Sequence, residues 1–342
     1  MVKPIKIKNK IIGKGHPTFL VAEMACAHQG NVEYALDLVK VAIEAKADAI
    51  QLQVFKKELY MSPIYKGWDL ATKLELNQSE WSKIIEFIKG DDILLFAAGY
   101  DIESIKFLIE KEVDAFKIHS ADISNPEVLK EVAKSKKLIF LSCGASSIEE
   151  IKKAIEFLRG NGTEDIVLMH GYQGFPTKIE DLNLNYIKTL ESTFDLNVGF
   201  YDHVDGSSEL AINIPIMSIG YGSQVIEKHF ILNREDKGID YESSLNPDKF
   251  IHFVKLLRES EKAIGDKIKR DFTEGELSYR TYCKKSIVAK IPIPKGSKIT
   301  REKVEFLRSN PGISPDEFDK IVGKIVKADI KQYHNLTYED IE

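Results

Sequence analysis

Short apolar runs alternate with amphipathic segments along most of the chain. The runs are nearly continuous in apolar side chains, which is typical of strands buried on both faces of a parallel sheet. The predicted strands are Thr18–Glu23, Ala49–Val54, Ile93–Ala98, Ala115–Ile118, Leu138–Ser142, Ile166–His170, Asn197–Tyr201 and Gln224–His229. Apolar residues recur at helical spacing between them, and the predicted helices are Val32–Ala45, Ser79–Ile88, Glu103–Glu112, Pro126–Ala133, Ile148–Leu158 and Phe250–Ile264.

Eight strand–helix units in sequence predict a closed (β/α)₈ TIM barrel of the α/β class. A barrel of this kind takes about 250 residues, and the repeating pattern ends near Gly265. A doubly wound open sheet is the alternative. It would typically have fewer strands, and no GxGxxG motif follows the first predicted strand. We therefore expect residues 1–265 to form the barrel domain.

A different pattern follows the barrel. The stretch 266–282 is polar and lacks a clear period, so it is predicted to be a linker. The last segment, 283–342, is predicted to form a small domain with a strand at Ile287–Ile291, a turn at Pro294–Gly296, a short helix in REKVEFL and a strand at Val322–Ala328. About 60 residues bury little surface, so we expect this domain to be stabilised by contacts with the barrel or with a partner chain.

Composition narrows the class of protein. The chain is 43% hydrophobic and 30% charged with a net charge of −5, which is typical of a globular protein and gives no indication of a nucleic-acid or membrane partner. No continuous apolar run follows the N-terminus, so neither a signal peptide nor a transmembrane span is expected. Cys26, Cys143 and Cys283 have no CxxC spacing, which argues against disulfides and structural zinc and favours a reducing cytoplasm.

Polar residues gather where the predicted strands end. Catalytic residues of such barrels lie at the C-terminal ends of the strands, so the pattern predicts a polar pocket there. The residues at or just after these ends are Glu23, His28, Gln51, Gln53, Tyr100, Asp101, Lys117, His119, Ser120, Asp122, Ser142, His170, Gln173, Asp202, His203, Lys228 and His229.

Two histidines and one glutamate in this set suggest metal chemistry. His203 and His229 follow adjacent strands, and two neutral imidazoles can bind a divalent cation while leaving positions open for water and substrate. Each could instead satisfy a backbone group, but the pair favours a metal. Glu23 lies within the apolar FLVAEMA run, where a carboxylate is costly unless it is paired or near a metal. A catalytic role for Glu23 is favoured over a structural ion pair.

A basic residue and a hydroxyl follow the fourth predicted strand. Lys117 and Ser120, in AFKIHSAD, supply a charge and a donor suited to phosphate or carboxylate. A strand that simply ends in lysine explains the pattern equally well.

Several segments, taken in order, resemble one enzyme family. FLVAEMACAHQGNVEYAL, ADAIQLQ, DAFKIHSADISN, IFLSCGASSIEEI, VGFYDHVDG and GSQVIEKHFILNREDKGIDYESSLNP resemble the motifs of the sialic acid (nonulosonic acid) synthases. The tail from about Lys285 is similar to the antifreeze-like SAF domain of that family. The resemblance covers nearly the whole chain.

The resemblance implies a reaction and a set of roles. Family members condense phosphoenolpyruvate with N-acetylmannosamine or a related amino sugar and release phosphate. It implies that a divalent metal, Mn²⁺ with Mg²⁺ or Co²⁺ as alternatives, polarises the sugar aldehyde in a domain-exchanged homodimer. The implied roles are metal binding by His203 and His229, proton handling by Glu23, phosphoenolpyruvate binding by Lys117, Ser120 and Ser142, contact with sugar hydroxyls by Asp240, and contact with the acyl group of a partner subunit's sugar by Arg308.

The chain departs from the family pattern on the donor side. Gln51 stands where the family usually has a phosphoenolpyruvate-binding lysine, and loss of that contact costs about 1.5–3 kcal/mol. Three further differences lie in the AAGY segment ending at Tyr100, at Gln173 and at Phe175. Gln51, Gln53, Tyr100 and Gln173 are nevertheless predicted to bind substrate.

Two alternatives follow from these departures. One is a metal-dependent aldolase or lyase on the same scaffold that uses another enolate donor, such as pyruvate. The other is a sugar-binding relative without activity. The presence of Glu23, His203 and His229 argues against the second alternative, because a binder needs no metal pair beside a buried carboxylate.

Overall fold

The computed structural model describes residues 2–265 and 270–342. The chain divides into two compact units, Met1–Asp266 and Lys267–Glu342. Residues 266–269 of the predicted linker lie outside the described residues.

The elements are numbered in chain order. The strands are β1 (Ile5–Ile7), β2 (Lys10–Ile12), β3 (Phe19–Ala25), β4 (Ala49–Val54), β5 (Leu94–Gly99), β6 (Ala115–Ile118), β7 (Leu138–Ser142), β8 (Ile166–His170), β9 (Asn197–Asp202), β10 (Val225–His229), β11 (Lys285–Ala289) and β12 (Val304–Arg308). The helices are α1 (Val32–Glu44), α2 (Lys57–Tyr60), α3 (Trp68–Leu74), α4 (Gln78–Lys89), α5 (Ile102–Glu110), α6 (Pro126–Ala133), α7 (Ile148–Gly160), α8 (Tyr186–Phe194), α9 (Leu210–Gly220), α10 (Pro247–Ile264), α11 (Glu274–Cys283) and α12 (Phe318–Ile321).

Strands β3 to β10 form a closed parallel barrel, which confirms the predicted TIM-barrel fold. They pair in chain order, and β10 pairs with β3 to close the sheet. Each predicted barrel strand is present with bounds shifted by no more than two residues. The predicted amphipathic helices are present as well, and hydrogen-bonding caps begin several of them; Asn77 and Ser147 each start a capping box.

Alternation along each strand divides the apolar core in two. One set of side chains packs against the surrounding helices, as Leu20 and Ile226 do. The other set, which includes Phe19, Phe96 and Phe140, fills the interior of the barrel at its N-terminal half. This base is well packed, since the Phe96 ring centroid lies 5.5 Å from that of Phe19 and 4.8 Å from that of Phe140.

The N-terminal hairpin covers the base of the barrel and was not predicted. Strands β1 and β2 pair antiparallel, and Ile5, Ile7 and Ile12 join the interior cluster. The Asn197 amide at the start of β9 donates to the Lys3 carbonyl at 2.9 Å. Strands of three residues give too short a pattern to be distinguished from a loop.

Two helices, α9 and α11, also escaped prediction. Helix α9 is apolar on all sides and contains Pro215, so it shows neither the polar face nor the uninterrupted period of a surface helix. Helix α11 begins within the segment 266–282 that was predicted to be a linker and ends at Cys283, and a capping box between Thr273 and Glu276 starts it.

Two predictions for the tail were wrong. REKVEFL is not a helix: Arg301–Lys303 form one 3₁₀ turn and the rest belongs to β12, where Val304 and Phe306 pack in the tail core at a spacing of two. The segment Val322–Ala328 is not a continuous strand, because it forms only isolated bridges at Ile325 and Val326. The predicted Ile287–Ile291 strand is present as β11 and pairs antiparallel with β12.

Candidate active site at the mouth of the barrel

The C-terminal half of the barrel interior is polar. On β10, Val225 belongs to the interior cluster, so Glu227 and His229 face the same way, while Ile226 packs with the helices. The same alternation brings Glu23, Gln51, Lys117 and Ser142 inward from β3, β4, β6 and β7. All of these side chains are buried. We call this region the mouth.

The two histidines predicted to bind a metal lie side by side. The ring centroids of His203 and His229 are 5.1 Å apart. The Nδ1 atom of His203 lies 3.0 Å from the Tyr172 carbonyl, which places the proton on Nδ1 and leaves Nε2 as the free lone pair. Burial lowers the pKa of His203 to about 3, and burial together with His203 lowers that of His229 well below its ordinary value. Both imidazoles are therefore neutral, which is the form that binds metals.

Glu23 is completely buried and is held mainly by neutral donors. The Gln51 amide donates to Oε2, and the Ala25 N–H donates to Oε1 at 2.7 Å. The register of β3 shifts between Glu23 and Ala25, and this bulge turns the Ala25 N–H back toward the carboxyl group. The Gln53 amide lies 3.4 Å from Oε1.

One lysine ammonium group lies near two buried carboxyl groups, those of Glu23 and Glu227. The Lys117 ammonium lies 2.5 Å from Glu227 Oε1 and 3.4 Å from Glu23 Oε2, so one cation serves two carboxyl groups. Burial raises the pKa of Glu23 to about 8, with Lys117 opposing the rise and Glu227 adding to it. Burial alone would lower the pKa of Lys117, but the two carboxylates reverse this and raise it. The directions of these shifts favour the protonated form of Glu23 and the charged form of Lys117.

Tyr201 lies close to both His203 and Lys117 in the mouth. Its ring centroid lies 5.2 Å from that of His203 and 5.6 Å from Lys117 Nζ. Its hydroxyl donates to the Gly171 carbonyl at 3.0 Å. A Cβ atom at Gly171 or Gly144 would lie 2.2 or 1.8 Å from the Tyr201 side chain, so only glycine leaves room for this ring.

The predicted donor-binding residues line one side of the mouth. The Gln173 amide donates to Ser120 Oγ at 2.9 Å and to the Tyr201 hydroxyl at 3.2 Å. Ser142 is 1% exposed, and its hydroxyl has no hydrogen-bond partner among the described residues. An unsatisfied buried hydroxyl is uncommon in proteins, and a ligand in the mouth would supply its partner.

Another side of the mouth carries Asp240, which was predicted to contact sugar hydroxyls, and Tyr100, which was predicted to bind substrate. Asp240 is partly buried, and its removal from water, with a smaller contribution from Glu242, raises its pKa to about 6. Burial raises the pKa of the Cys26 thiol and of the Tyr100 hydroxyl, and the charge of Asp240 adds to both shifts. The Tyr100 ring packs 4.9 Å from that of Tyr60, so this side combines aromatic faces with one titratable carboxyl group.

Several polar residues at the strand ends do not face the mouth. Lys228 and Asp202 are fully buried on the outer face of the barrel, where they form an ion pair with each other. His170 Nε2 bonds the Leu182 carbonyl at 2.8 Å. These residues satisfy local partners, and their positions correct the expectation that polar residues at strand ends share one pocket.

Two other predicted polar residues have backbone partners within their own unit. Asp101 is the N-cap of α5. Arg308 belongs to the tail unit, where its Nε donates to the Cys283 carbonyl at 3.2 Å.

Sequence reasoning missed Glu227 and Tyr201. Both lie two residues before a predicted metal ligand, His229 and His203, and therefore share its face of the strand. Because side chains alternate along a strand, counting back two residues from each histidine would have assigned Glu227 and Tyr201 to the mouth and Lys228 to the opposite face.

The mouth suits a divalent cation. Two neutral imidazoles, one held in a defined tautomer, form an incomplete coordination shell that substrate and water can complete. Within residues 2–265 and 270–342, no group of three or more His, Cys, Asp or Glu side chains is placed to bind a metal by itself.

Comparison with known proteins identifies the family. The NeuB family model matches residues 38–269, and the SAF domain model matches residues 284–342. The chain belongs to the NeuB family and carries a C-terminal SAF domain, as the motifs indicated.

Named relatives match along most of their length. A pseudaminic acid synthase of Campylobacter jejuni is 33% identical over 92% of this chain and 93% of its own. An N,N'-diacetyllegionaminic acid synthase of Legionella pneumophila is 30% identical over 96% of both chains. The structure of the N-acetylneuraminic acid synthetase of Leptospira borgpetersenii is 30% identical and superposes with a TM-score of 0.76, covering 82% of this chain and 97% of that one.

None of the helices in the described part of the chain has the length and apolar character needed to cross a bilayer. The three cysteines are free thiols.

Proposed function

We propose that this protein is a nonulosonic acid synthase that condenses phosphoenolpyruvate with an N-acylated hexosamine, such as N-acetylmannosamine or a related sugar, and releases phosphate. The observation that carries the proposal is the set of side chains that meet in one buried mouth: the neutral pair His203 and His229, the protonated Glu23 and the charged Lys117. Relatives named as synthases of pseudaminic and legionaminic acids support this reading over a pyruvate-dependent lyase.

His203 and His229 would hold the divalent cation, for which Mn²⁺ is the best candidate and Mg²⁺ or Co²⁺ are alternatives. When bound, the cation would supply Lewis-acid polarisation of the sugar aldehyde and stabilise negative charge on its oxygen. Two imidazoles would leave coordination positions for water and substrate, which supports this role.

Glu23 would move the proton during condensation. As C3 of phosphoenolpyruvate attacks the aldehyde carbon, the protonated Glu23 delivers its proton to the aldehyde oxygen, which becomes a hydroxyl group. The resulting carboxylate then takes a proton from the water that adds at C2. As the C2–O bond to phosphate breaks, the C2 hydroxyl of the tetrahedral species gives its proton to the departing phosphate, and the 2-keto acid remains. A pKa near neutrality suits a group that both gives and takes a proton.

The remaining mouth residues would bind and orient the two substrates. Lys117, Ser120 and Ser142 would bind the anionic donor. Gln51 stands where the family usually has a lysine. Its amide nitrogen donates one hydrogen bond to Glu23, and the second N–H of the same amide would bind the donor. Gln53, Tyr100 and Gln173 would make further substrate contacts, and Asp240 would contact the sugar hydroxyls.

The assembly and location are further proposals. Arg308 would contact the acyl group of the sugar in a partner subunit, as part of a domain-exchanged homodimer. Light scattering should then give twice the chain mass, and a monomeric mass would contradict this role. The cytoplasmic location expected from the cysteines remains a prediction.

The function is tested with purified protein depleted of metal and then given Mn²⁺. We expect phosphate release only when phosphoenolpyruvate and a suitable N-acylated hexosamine are both present. Mass spectrometry of the product identifies the sugar by its added three-carbon unit. No phosphate release with any of a panel of hexosamines, when the metal is shown to be bound, would contradict the proposal.

A further inference from the structure

Two buried carboxyl groups compete for one ammonium group below the metal-binding pair. Lys117 Nζ lies 2.5 Å from Glu227 Oε1 but 3.4 Å from Glu23 Oε2. Glu227 is 2% exposed and Glu23 is 0% exposed, so water screens neither interaction strongly. The ammonium therefore lies on the β10 side of the mouth.

The two carboxyl groups have different kinds of partner. Glu23 receives hydrogen bonds from the Gln51 amide and from the Ala25 N–H at 2.7 Å. Glu227 instead receives the direct contact with the Lys117 ammonium. A close ion pair between Lys117 and Glu23 would stabilise the Glu23 carboxylate and oppose its return to the protonated form.

The position of the ammonium is bounded from a third direction by Tyr201. Nζ lies 5.6 Å from the centroid of this ring. The ring is fixed in turn, because its hydroxyl bonds the Gly171 carbonyl at 3.0 Å and no Cβ atom fits at Gly171. If Glu227 lost its charge, the movement left to Lys117 would be toward Glu23.

We propose that Glu227 is a positioning residue that anchors Lys117 toward β10 and so prevents its ammonium from closing on Glu23. The structural part of this proposal depends only on the contacts described above. Its consequence for catalysis rests on the proposed synthase function.

The barrel supplies a matched control for substitution of Glu227. Lys228, the next residue, points to the opposite face and pairs with Asp202, and both are 0% exposed. Glu227→Gln and Asp202→Asn each remove one carboxylate charge from a buried lysine pair and leave an amide oxygen that can still accept a hydrogen bond. The general effect of breaking such a pair is therefore shared, whereas the effect on Lys117 is specific to Glu227.

The experiment combines crystal structures with steady-state kinetics of the full chain. In Glu227→Gln we expect Lys117 Nζ to move to within about 2.9 Å of Glu23 Oε2, the usual length of a charge-assisted hydrogen bond. We expect kcat to fall about 10²-fold, as other small misplacements in an active site do, and KM for phosphoenolpyruvate to rise as well, because Lys117 also binds the donor. Asp202→Asn should leave both Lys117 and kcat as they are in the wild type.

The conservative variant Glu227→Asp keeps the charge and should restore most of kcat. Its shorter side chain should hold Nζ at least as far from Glu23 as in the wild type, which tests the anchor even if Glu227→Gln does not fold. An unmoved Lys117 in Glu227→Gln, or equal losses of kcat in Glu227→Gln and Asp202→Asn, would overturn the proposal. If the wild type released no phosphate with any sugar, the proposed function would fail, while the position of Lys117 in the crystals would still decide the anchoring role.

Discussion

The base and the mouth of the barrel interior are built from the same strands but have opposite chemistry. At the base, Phe19, Phe96 and Phe140 are closely packed, and burial of their rings stabilises the fold. At the mouth, two to four residues further along the strands, Glu23 and Lys117 are equally buried but charged or titratable. Position along a strand thus separates residues that stabilise this protein from residues that make the site and cost stability.

The largest expected effect comes from the metal-binding pair. His203→Ala or His229→Ala should lower kcat/KM by about 10⁴-fold, which corresponds to about 5 kcal/mol of transition-state stabilisation. His170→Gln is the control, because His170 also ends a barrel strand but bonds the Leu182 carbonyl outside the mouth. Metal content by plasma mass spectrometry should fall in the first two variants and not in the third. If all three variants lost metal equally, His203 and His229 could not be distinguished from His170 as metal ligands.

The next effect concerns stability at the base. Phe19 is 2% exposed and stacks on Phe96, so Phe19→Ala should lower the free energy of unfolding by about 3–5 kcal/mol. The folded fraction should keep kcat within about twofold, because the substitution lies about 13 Å along β3 from Glu23. Urea unfolding followed by tryptophan fluorescence reports on the barrel, since Trp68 and Trp81 both belong to it. If Phe19→Ala kept its stability but had a low kcat, the division between stabilising residues at the base and site residues at the mouth would be contradicted.

The smallest expected effect is a pH-dependent loss of folding stability caused by Glu23. Burial raises the pKa of Glu23 from 4.5 to about 8. The folded protein therefore keeps a proton between these values that the unfolded chain releases, and this contribution to stability falls as pH rises from about 4.5 to 8. Glu23→Gln remains neutral, so the metal-free variant should gain stability relative to the metal-free wild type by more than about 1 kcal/mol between pH 6 and pH 8.5. A constant difference in unfolding free energy across this range would show that Glu23 is ionised in the fold.

The fold was largely predictable because its signals are local. Continuous apolar runs such as Ile166–His170 report burial on both faces, and all the predicted barrel strands are present. The hairpin β1–β2 and helix α9 were missed where a pattern was too short or apolar on all sides. The predicted tail helix was wrong because Val304 and Phe306 follow a period of two within a sequence of good helix formers.

The sequence by itself determined the eight strands, their alternation and the residue types that arrive at the mouth. Only the tertiary structure decided which residues meet: closure of β10 on β3 sets His229 beside Glu23 in the register, although they are far apart in the chain. It also decided that Lys117 pairs more closely with Glu227 than with Glu23 and that Lys228 turns outward to Asp202. The physical reason is that local patterns report whether a side chain is buried, whereas the partner of a buried charge depends on strand register and ring closure, which no local window contains.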